Sequence, residues 1–215
     1  MVIPVVHAIT TDAIVARSDF IANASAVMSA LGPRGAVHVR AHQLPARHLL
    51  AVADALAARQ SETGAWLVVN DRVDIALIVG ALGAQLTSRS LASLDAQHAR
   101  AVAGRSVCLG ASVHGVEDAR GASDSGADWL VAGHIFPTPS HADTPGRGLE
   151  GLAEICHASA VPVIAIGGVR PEYVRAIRAA GAHGIAALRG IWHDGDAAAA
   201  CYRYLSAHDD SGVSE

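Results

Sequence analysis

The sequence predicts an α/β protein, a single (β/α)8 TIM barrel spanning residues 1–207. Three observations carry that expectation. Eight short β-rich runs alternate with alanine-rich amphipathic stretches from end to end. The length of 215 residues suits one barrel and is too short for two ordinary domains. The first strand leads into Thr10-Thr11-Asp12-Ala13, whereas the alternative, a doubly wound open sheet, most often shows a Gly-rich loop there.

The first expected strand, Ile3–Ile9, is interrupted only by His7, and an expected helix over Ile14–Leu31 follows. The second, Ala36–Arg40, runs on into Ala41-His42. Val37 and Val39 share one face, while His38, Arg40 and His42 share the other. With the valines packed on helices, that polar row is expected to point into the barrel mouth. Four residues of strand span roughly 13 Å, so His38 and His42 are too far apart to share a metal ion. An expected helix Arg47–Arg59 leads to the third strand, Trp66–Asn70, where an apolar run gives way to Asn70-Asp71-Arg72. Asn70 belongs at the mouth; Asp71 reads equally as a helix cap or a site residue, and Asp74 suits the first turn of an expected helix Val73–Ala81.

The fourth expected strand is Ala84–Thr87, followed by a helix over Leu91–Val102. The fifth, Val107–Val113, closes with Ser112 and His114 on one face and precedes a helix Val116–Ser125. The sixth, Trp129–His134, opens into Pro137–Gly148, the longest loop, rich in Pro, Gly, Ser and Thr and read as a lid. After an expected helix Leu149–Ala158 come the seventh strand, Val163–Ile166, the glycine pair Gly167-Gly168 and a helix opened by Pro171. The eighth, Gly184–Ala187, precedes Leu188-Arg189-Gly190 and a last helix near Ala197–Ser206, with 208–215 expected to be a disordered tail. Gly126 and Gly181, each between a helix and a strand, suit helix C-caps.

Composition narrows the chemistry. All 16 basic residues are arginine, which excludes a lysine Schiff base, a P-loop lysine and a lysine general base. A net charge of -4 and 4% aromatic residues offer neither a basic footprint nor base-stacking platforms, so nucleic acid is not an expected partner. The apolar opening lacks a basic n-region, so no signal peptide is expected, and no run approaches the ~20 apolar residues that span a bilayer. Cys108, Cys156 and Cys201 form no CxxC pair and read as reduced thiols of a cytoplasmic protein.

In such a barrel the site lies at the C-terminal strand ends. His134 stands where the sixth strand becomes a loop, flanked by glycine and apolar residues, a setting for a general acid or base. Gly167-Gly168 and Leu188-Arg189 occupy the seventh and eighth loops, the common phosphate site of this architecture, and point to a phosphorylated ligand.

Several stretches, in order, resemble the thiamine phosphate synthase/TenI superfamily: His7-Ala8-Ile9-Thr10, Val37-His38-Val39-Arg40, Val69-Asn70-Asp71-Arg72-Val73-Asp74, Ser112-Val113-His114, Gly133-His134-Ile135-Phe136-Pro137-Thr138, Gly146-Arg147-Gly148-Leu149, Ala165-Ile166-Gly167-Gly168 and Gly184-Ile185-Ala186. The resemblance implies a thiamine-phosphate-synthase-like barrel and suggests a dimer. The synthase pattern Gln-x-Arg-x-Lys on the second strand reads His38-Val39-Arg40-Ala41-His42 here. After the fourth strand, where synthases place a magnesium-binding aspartate, this chain has Ser88-Arg89-Ser90. His134 replaces a proline, and Ser140-His141 replaces Thr-Lys.

Gly-His-Ile-Phe followed by Gly-Arg-Gly-Leu resembles the TenI branch instead. The expectation is therefore a thiazole tautomerase that aromatises a carboxythiazole phosphate without metal or cofactor. The resemblance makes His134 the proton shuttle. Gly167, Gly168, Leu188 and Arg189 are then expected to bind phosphate, with Arg40, Asn70, Ser112, His114 and Thr138 lining the substrate. Two alternatives stand beside it. One is a divergent thiamine phosphate synthase with histidines for lysines; the other is a non-catalytic phosphate-binding or regulatory barrel.

Overall fold

The computed structural model describes residues 1–87, 96–138 and 144–210. Eight parallel strands close into a barrel in sequence order: β1 (Val6–Ile9), β2 (Gly35–Val39), β3 (Trp66–Asn70), β4 (Gly83–Leu86), β5 (Cys108–Val113), β6 (Trp129–Ala132), β7 (Val163–Ile166) and β8 (Gly184–Ala187). β1 pairs with both β2 and β8, which completes the ring. Strands β3, β7 and β8 have the bounds expected from their apolar runs.

Period-two alternation sorts each strand between two cores. Outward residues such as Val37, Val39, Leu67, Val69, Leu109, Leu130 and Ile185 pack against the surrounding helices. Inward residues Ile9, Ala36, Trp66, Val68, Trp129, Val131, Ile164 and Ala186 fill the lumen as a separate cluster. Trp129 takes much of that space, meeting Trp66 edge-on with ring centroids 6.3 Å apart. Glycine is required opposite it: a Cβ on Gly110 would run into the Trp129 indole and the Gln85 amide.

Two helical expectations need correction. The stretch Ile14–Leu31 is broken into Asp12–Val15 and Phe20–Leu31. The break lets Phe20 turn inward onto Trp192, ring centroids 5.9 Å apart, while Arg17 donates to the Trp192 carbonyl at 3.1 Å. Trp192 lies on a short helix, Arg189–Trp192, absent from the sequence reading. The last helix, Ala197–Asp210, runs past the expected Ser206. His208 is buried and its Nε2 donates to the His183 carbonyl at 3.1 Å, and Asp209 pairs with Arg34, so the start of the expected tail is held in place. Residues 211–215, and 91–95 of the expected fourth helix, lie outside the described residues; that helix is described from Ala96 to Ala103.

The floor of the barrel is fastened by Gln60 on the helix Ala46–Thr63. Its Oε1 accepts from Leu67 N at 2.9 Å and Leu82 N at 3.0 Å, and its Nε2 donates to the Gly80 carbonyl at 3.0 Å. Gln60→Leu strands all three backbone groups, so we expect it to cost about 2–3 kcal/mol in urea denaturation. A loss below about 1 kcal/mol would show that water replaces the clasp.

No helix among the described residues is long and apolar enough to cross a membrane. All three cysteines are free thiols. Burial raises Cys156 to about 11 and Cys201 to about 12, leaving little nucleophilic thiolate near neutrality.

Candidate active site

The inward rows become polar towards the C-terminal ends of β2 to β5, and β1 adds His7 beneath Ile9. His7 and His38 sit deepest, both fully enclosed. His7 Nδ1 lies 2.8 Å from His38 Nε2, and His7 Nε2 lies 2.9 Å from the Pro4 carbonyl. Burial lowers the His7 pKa to about 4. Burial and then the nearby His7 ring take His38 well below its ordinary value, against a smaller opposing contact from Asn70. His38 was expected at the mouth. It shares its face with Arg40 as expected, but two residues of strand place it below the rim, inside the lumen.

Above this pair the row continues with Asn70 and Gln85, register partners on β3 and β4. Gln85 Nε2 donates to Ser112 Oγ at 3.2 Å. Asn70 Oδ1, Gln85 Oε1 and His38 Nδ1 are buried without a hydrogen-bond partner among the described residues. Each of these buried atoms calls for a hydrogen-bond partner.

Arg40 stands at the rim, half-buried. Its backbone N–H donates to Thr10 Oγ1 at 2.9 Å, and that hydroxyl donates to the His38 carbonyl at 2.9 Å, tying the ends of β1 and β2 together. No hydrogen bond or ion pair engages its guanidinium among the described residues. Beside it His42 Nδ1 lies 3.5 Å from Asp71 Oδ2. Asp71 is not a helix cap. Its φ of +60° turns the chain out of β3, and its carboxylate accepts from Thr87 N at 2.9 Å and Thr87 Oγ1 at 2.8 Å, fixing the end of β4.

On the opposite side His114 is exposed, with Nδ1 3.3 Å from the Gly133 carbonyl. His134 is half-buried, its Nε2 3.3 Å from the Thr144 carbonyl. Thr138 is buried. The loop read as a lid returns to the same segment, with Arg147 N donating to the His134 carbonyl at 3.0 Å and Gly148 N to the Ile135 carbonyl at 2.9 Å. Residues 139–143, including His141, lie outside the described residues, as do Ser88, Arg89 and Ser90.

The glycine pair after β7 has a reason the sequence did not disclose. The β6 exit pairs with it, Ile135 N donating to the Ile166 carbonyl at 2.9 Å and Phe136 N to the Gly167 carbonyl at 3.0 Å. A Cβ on Gly167 would collide with the Cβ of His134, and one on Gly168 with Phe136 and the Pro137 carbonyl; their φ values are +101° and +65°. Close packing and a left-handed backbone thus require glycine even without a ligand. The N–H groups of Gly167, Gly168, Leu188 and Arg189 nonetheless have no acceptor among the described residues. Arg189 opens the short helix after β8 with its side chain exposed.

The donor set suits a protein-held magnesium ion poorly. The Asp71 carboxylate is already engaged by Thr87 and faces His42, and no group of three His, Cys, Asp or Glu gathers among the described residues.

Thr10, Gln85, Thr87 and the pairing partner His7 were missed as site residues. Gln85 was within reach of alternation alone, since Ala84 and Leu86 on either side face outward. The others depend on contacts between distant segments.

Comparison with known proteins separates the readings left open. A family model described as thiamine monophosphate synthase matches residues 6–191. The thiamine-phosphate synthase of Moorella thermoacetica is 38% identical over 80% of this chain and 81% of its own length. That of Pyrococcus horikoshii is 36% identical over 74% of this chain and 75% of its own. Among solved structures, a thiamine phosphate pyrophosphorylase from Pyrococcus furiosus superposes with a TM-score of 0.82, at 29% identity, covering 96% of both chains.

These relatives overturn the expectation of a thiazole tautomerase. The Gly-His-Ile-Phe and Gly-Arg-Gly-Leu stretches suggested that branch, but similarity along most of the chain lies with synthases. The proton-shuttle role given to His134 rested on that reaction and falls with it.

Proposed function

We propose, from the premise that the chain belongs to the thiamine monophosphate synthase family, that it is a transferase of thiamine phosphate synthesis. In this reading it joins a phosphorylated thiazole to a diphosphate-activated pyrimidine. The methylene C–O bond of the pyrimidine breaks with its electron pair leaving on diphosphate. The thiazole ring nitrogen supplies the pair for the new C–N bond.

One observation carries this reading: Arg40, half-buried at the barrel mouth, makes no hydrogen bond or ion pair through its guanidinium among the described residues. A permanent cation without a protein counter-ion favours an anion, and a departing diphosphate accumulates negative charge as the bond breaks. Arg40 is also the residue of the synthase second-strand pattern that this chain retains. The unengaged N–H groups of Gly167, Gly168, Leu188 and Arg189 suit the phosphate of the thiazole. Asn70, Ser112 and Thr138 line the space between these anion sites. His114 and His134 flank the β6 exit at the rim. No step is routed through His134, because the C–N bond needs no proton transfer at the attacking nitrogen.

The test is a diphosphate-release assay with both substrates, with and without added magnesium. The expected result is release of diphosphate that depends on the thiazole partner, with thiamine phosphate formed in equal amount. Binding of both substrates without release in either condition would favour a non-catalytic barrel.

A further inference from the structure

The buried histidine pair has a direction, and the direction bears on the mouth. The Pro4 carbonyl can only accept, so the proton between it and His7 resides on His7 Nε2. Neutral His7 then carries a bare Nδ1. The 2.8 Å contact to His38 is therefore filled by the proton of His38 Nε2. A neutral His38 that donates through Nε2 has no proton left for Nδ1. The relay from Pro4 through His7 thus forces an acceptor at the inner end of the active-site row.

Asn70 meets that acceptor. It lies on β3 two residues beyond Val68, the register partner of His38, on the same inward face. The amide oxygen of Asn70 and the bare nitrogen of His38 are both buried and unpartnered. Two buried acceptors left without a donor are destabilising, and each retains the full penalty of its lost hydration. A half-turn of the amide about its Cβ–Cγ bond exchanges oxygen for an NH2 group of nearly the same shape. It satisfies His38 and turns the amide oxygen upward.

We propose that the His7–His38 pair is a positioning device that holds the Asn70 amide with its nitrogen on His38 Nδ1 and its oxygen facing the barrel mouth. Asn70 then accepts a hydrogen bond from the bound molecule and selects for a ligand with an N–H or O–H donor at that point. A glutamine at position 38, as in the synthase pattern, imposes no such direction, because its amide can offer either end. The inference deepens the reading of Asn70 as a substrate-lining residue, but its geometry stands on the ligand-free lumen.

Nuclear magnetic resonance of the ligand-free full chain, labelled with 15N, provides the test and needs no turnover. The expected result is that His7 and His38 both show the Nε2–H tautomer at pH 7.5. A scalar coupling across the hydrogen bond should link the Asn70 side-chain nitrogen to His38 Nδ1. Protonation at His38 Nδ1, or its absence together with no coupling to Asn70, would overturn the proposal. Both readouts come from the unaltered protein, so an unstable variant cannot obscure them. Neither depends on whether the diphosphate-release assay succeeds.

Discussion

Arg40→Met is expected to lower kcat/KM of the proposed transfer by about 10²–10³-fold, the loss typical of removing one preorganised charge-stabilising donor. Arg40 is half-buried at the rim of β2, where the Thr10 hydroxyl holds its backbone N–H and leaves its charge unengaged among the described residues. It therefore meets a ligand anion without first leaving a protein carboxylate. For the same reason the substitution should leave thermal stability unchanged or raise it, since it removes a cation that lacks a counter-ion among the described residues. Arg40→Lys should recover part of the loss, because a point charge persists while the planar, bidentate geometry does not. Steady-state kinetics beside a melting curve would check both statements. Activity within threefold of wild type for the methionine variant would remove Arg40 from the site.

The second large effect is acid lability above the range in which carboxylates titrate. An imidazole whose folded pKa lies below its unfolded value contributes its full stability above about pH 6.5. That contribution drains away as the pH falls towards the folded value, because the unfolded chain takes up the proton first. For His7 the fall from 6.5 to about 4 is caused first by burial, and it corresponds to about 3 kcal/mol. His38 acts in the same direction through burial and then the His7 ring, and His208, lowered first by burial, adds to it.

Asp74 and Asp209 are held below their ordinary 3.8 by hydrogen bonds from Arg72 and Arg34, so their contributions are lost only at lower pH. The window from pH 6.5 to 4.5 therefore reports the histidines. A chain of this size loses roughly 2–4 °C of Tm per kcal/mol, so a fall of several degrees is expected across that window in differential scanning fluorimetry. A flat profile would mean that the His7–His38 pair opens to solvent or already carries a proton at neutrality.

Much of the barrel was legible because its signals are local. The alternation of Val37 and Val39 with His38, Arg40 and His42 needs only the period of a strand, and it correctly separated the helix-facing residues from the lumen. Depth along that row was not legible. His38 and Arg40 look alike in sequence, and only the closure of the ring makes one a core residue and the other a rim residue. His7 looked like an interruption in an apolar strand because its partner lies 31 residues away. The break before Phe20 was hidden for a related reason. The break brings Phe20 onto Trp192, far along the chain, and helix periodicity carries no trace of that contact.

Function was obscured in a different way. Two short stretches after β6 outweighed a resemblance spread across the whole chain, although short segments beside a mouth are where related barrels differ most readily. Asp71 is the converse case. Its residue type suited both a cap and a site, and the deciding fact, its hold on Thr87, belongs to the neighbouring strand.

The contact between the β6 exit and the glycines after β7 also constrains how this barrel can be re-engineered. Segments 133–136 and 166–168 interlock backbone to backbone, with glycine the residue that fits at 167 and 168. The rim around His134 and the candidate phosphate loop consequently form one transplantable block. A chimera that imports a relative's β6 loop without its β7 turn would set foreign side chains against a surface shaped for this backbone. Recombination along this chain should therefore tolerate a crossover at the floor of β7 better than one at its mouth.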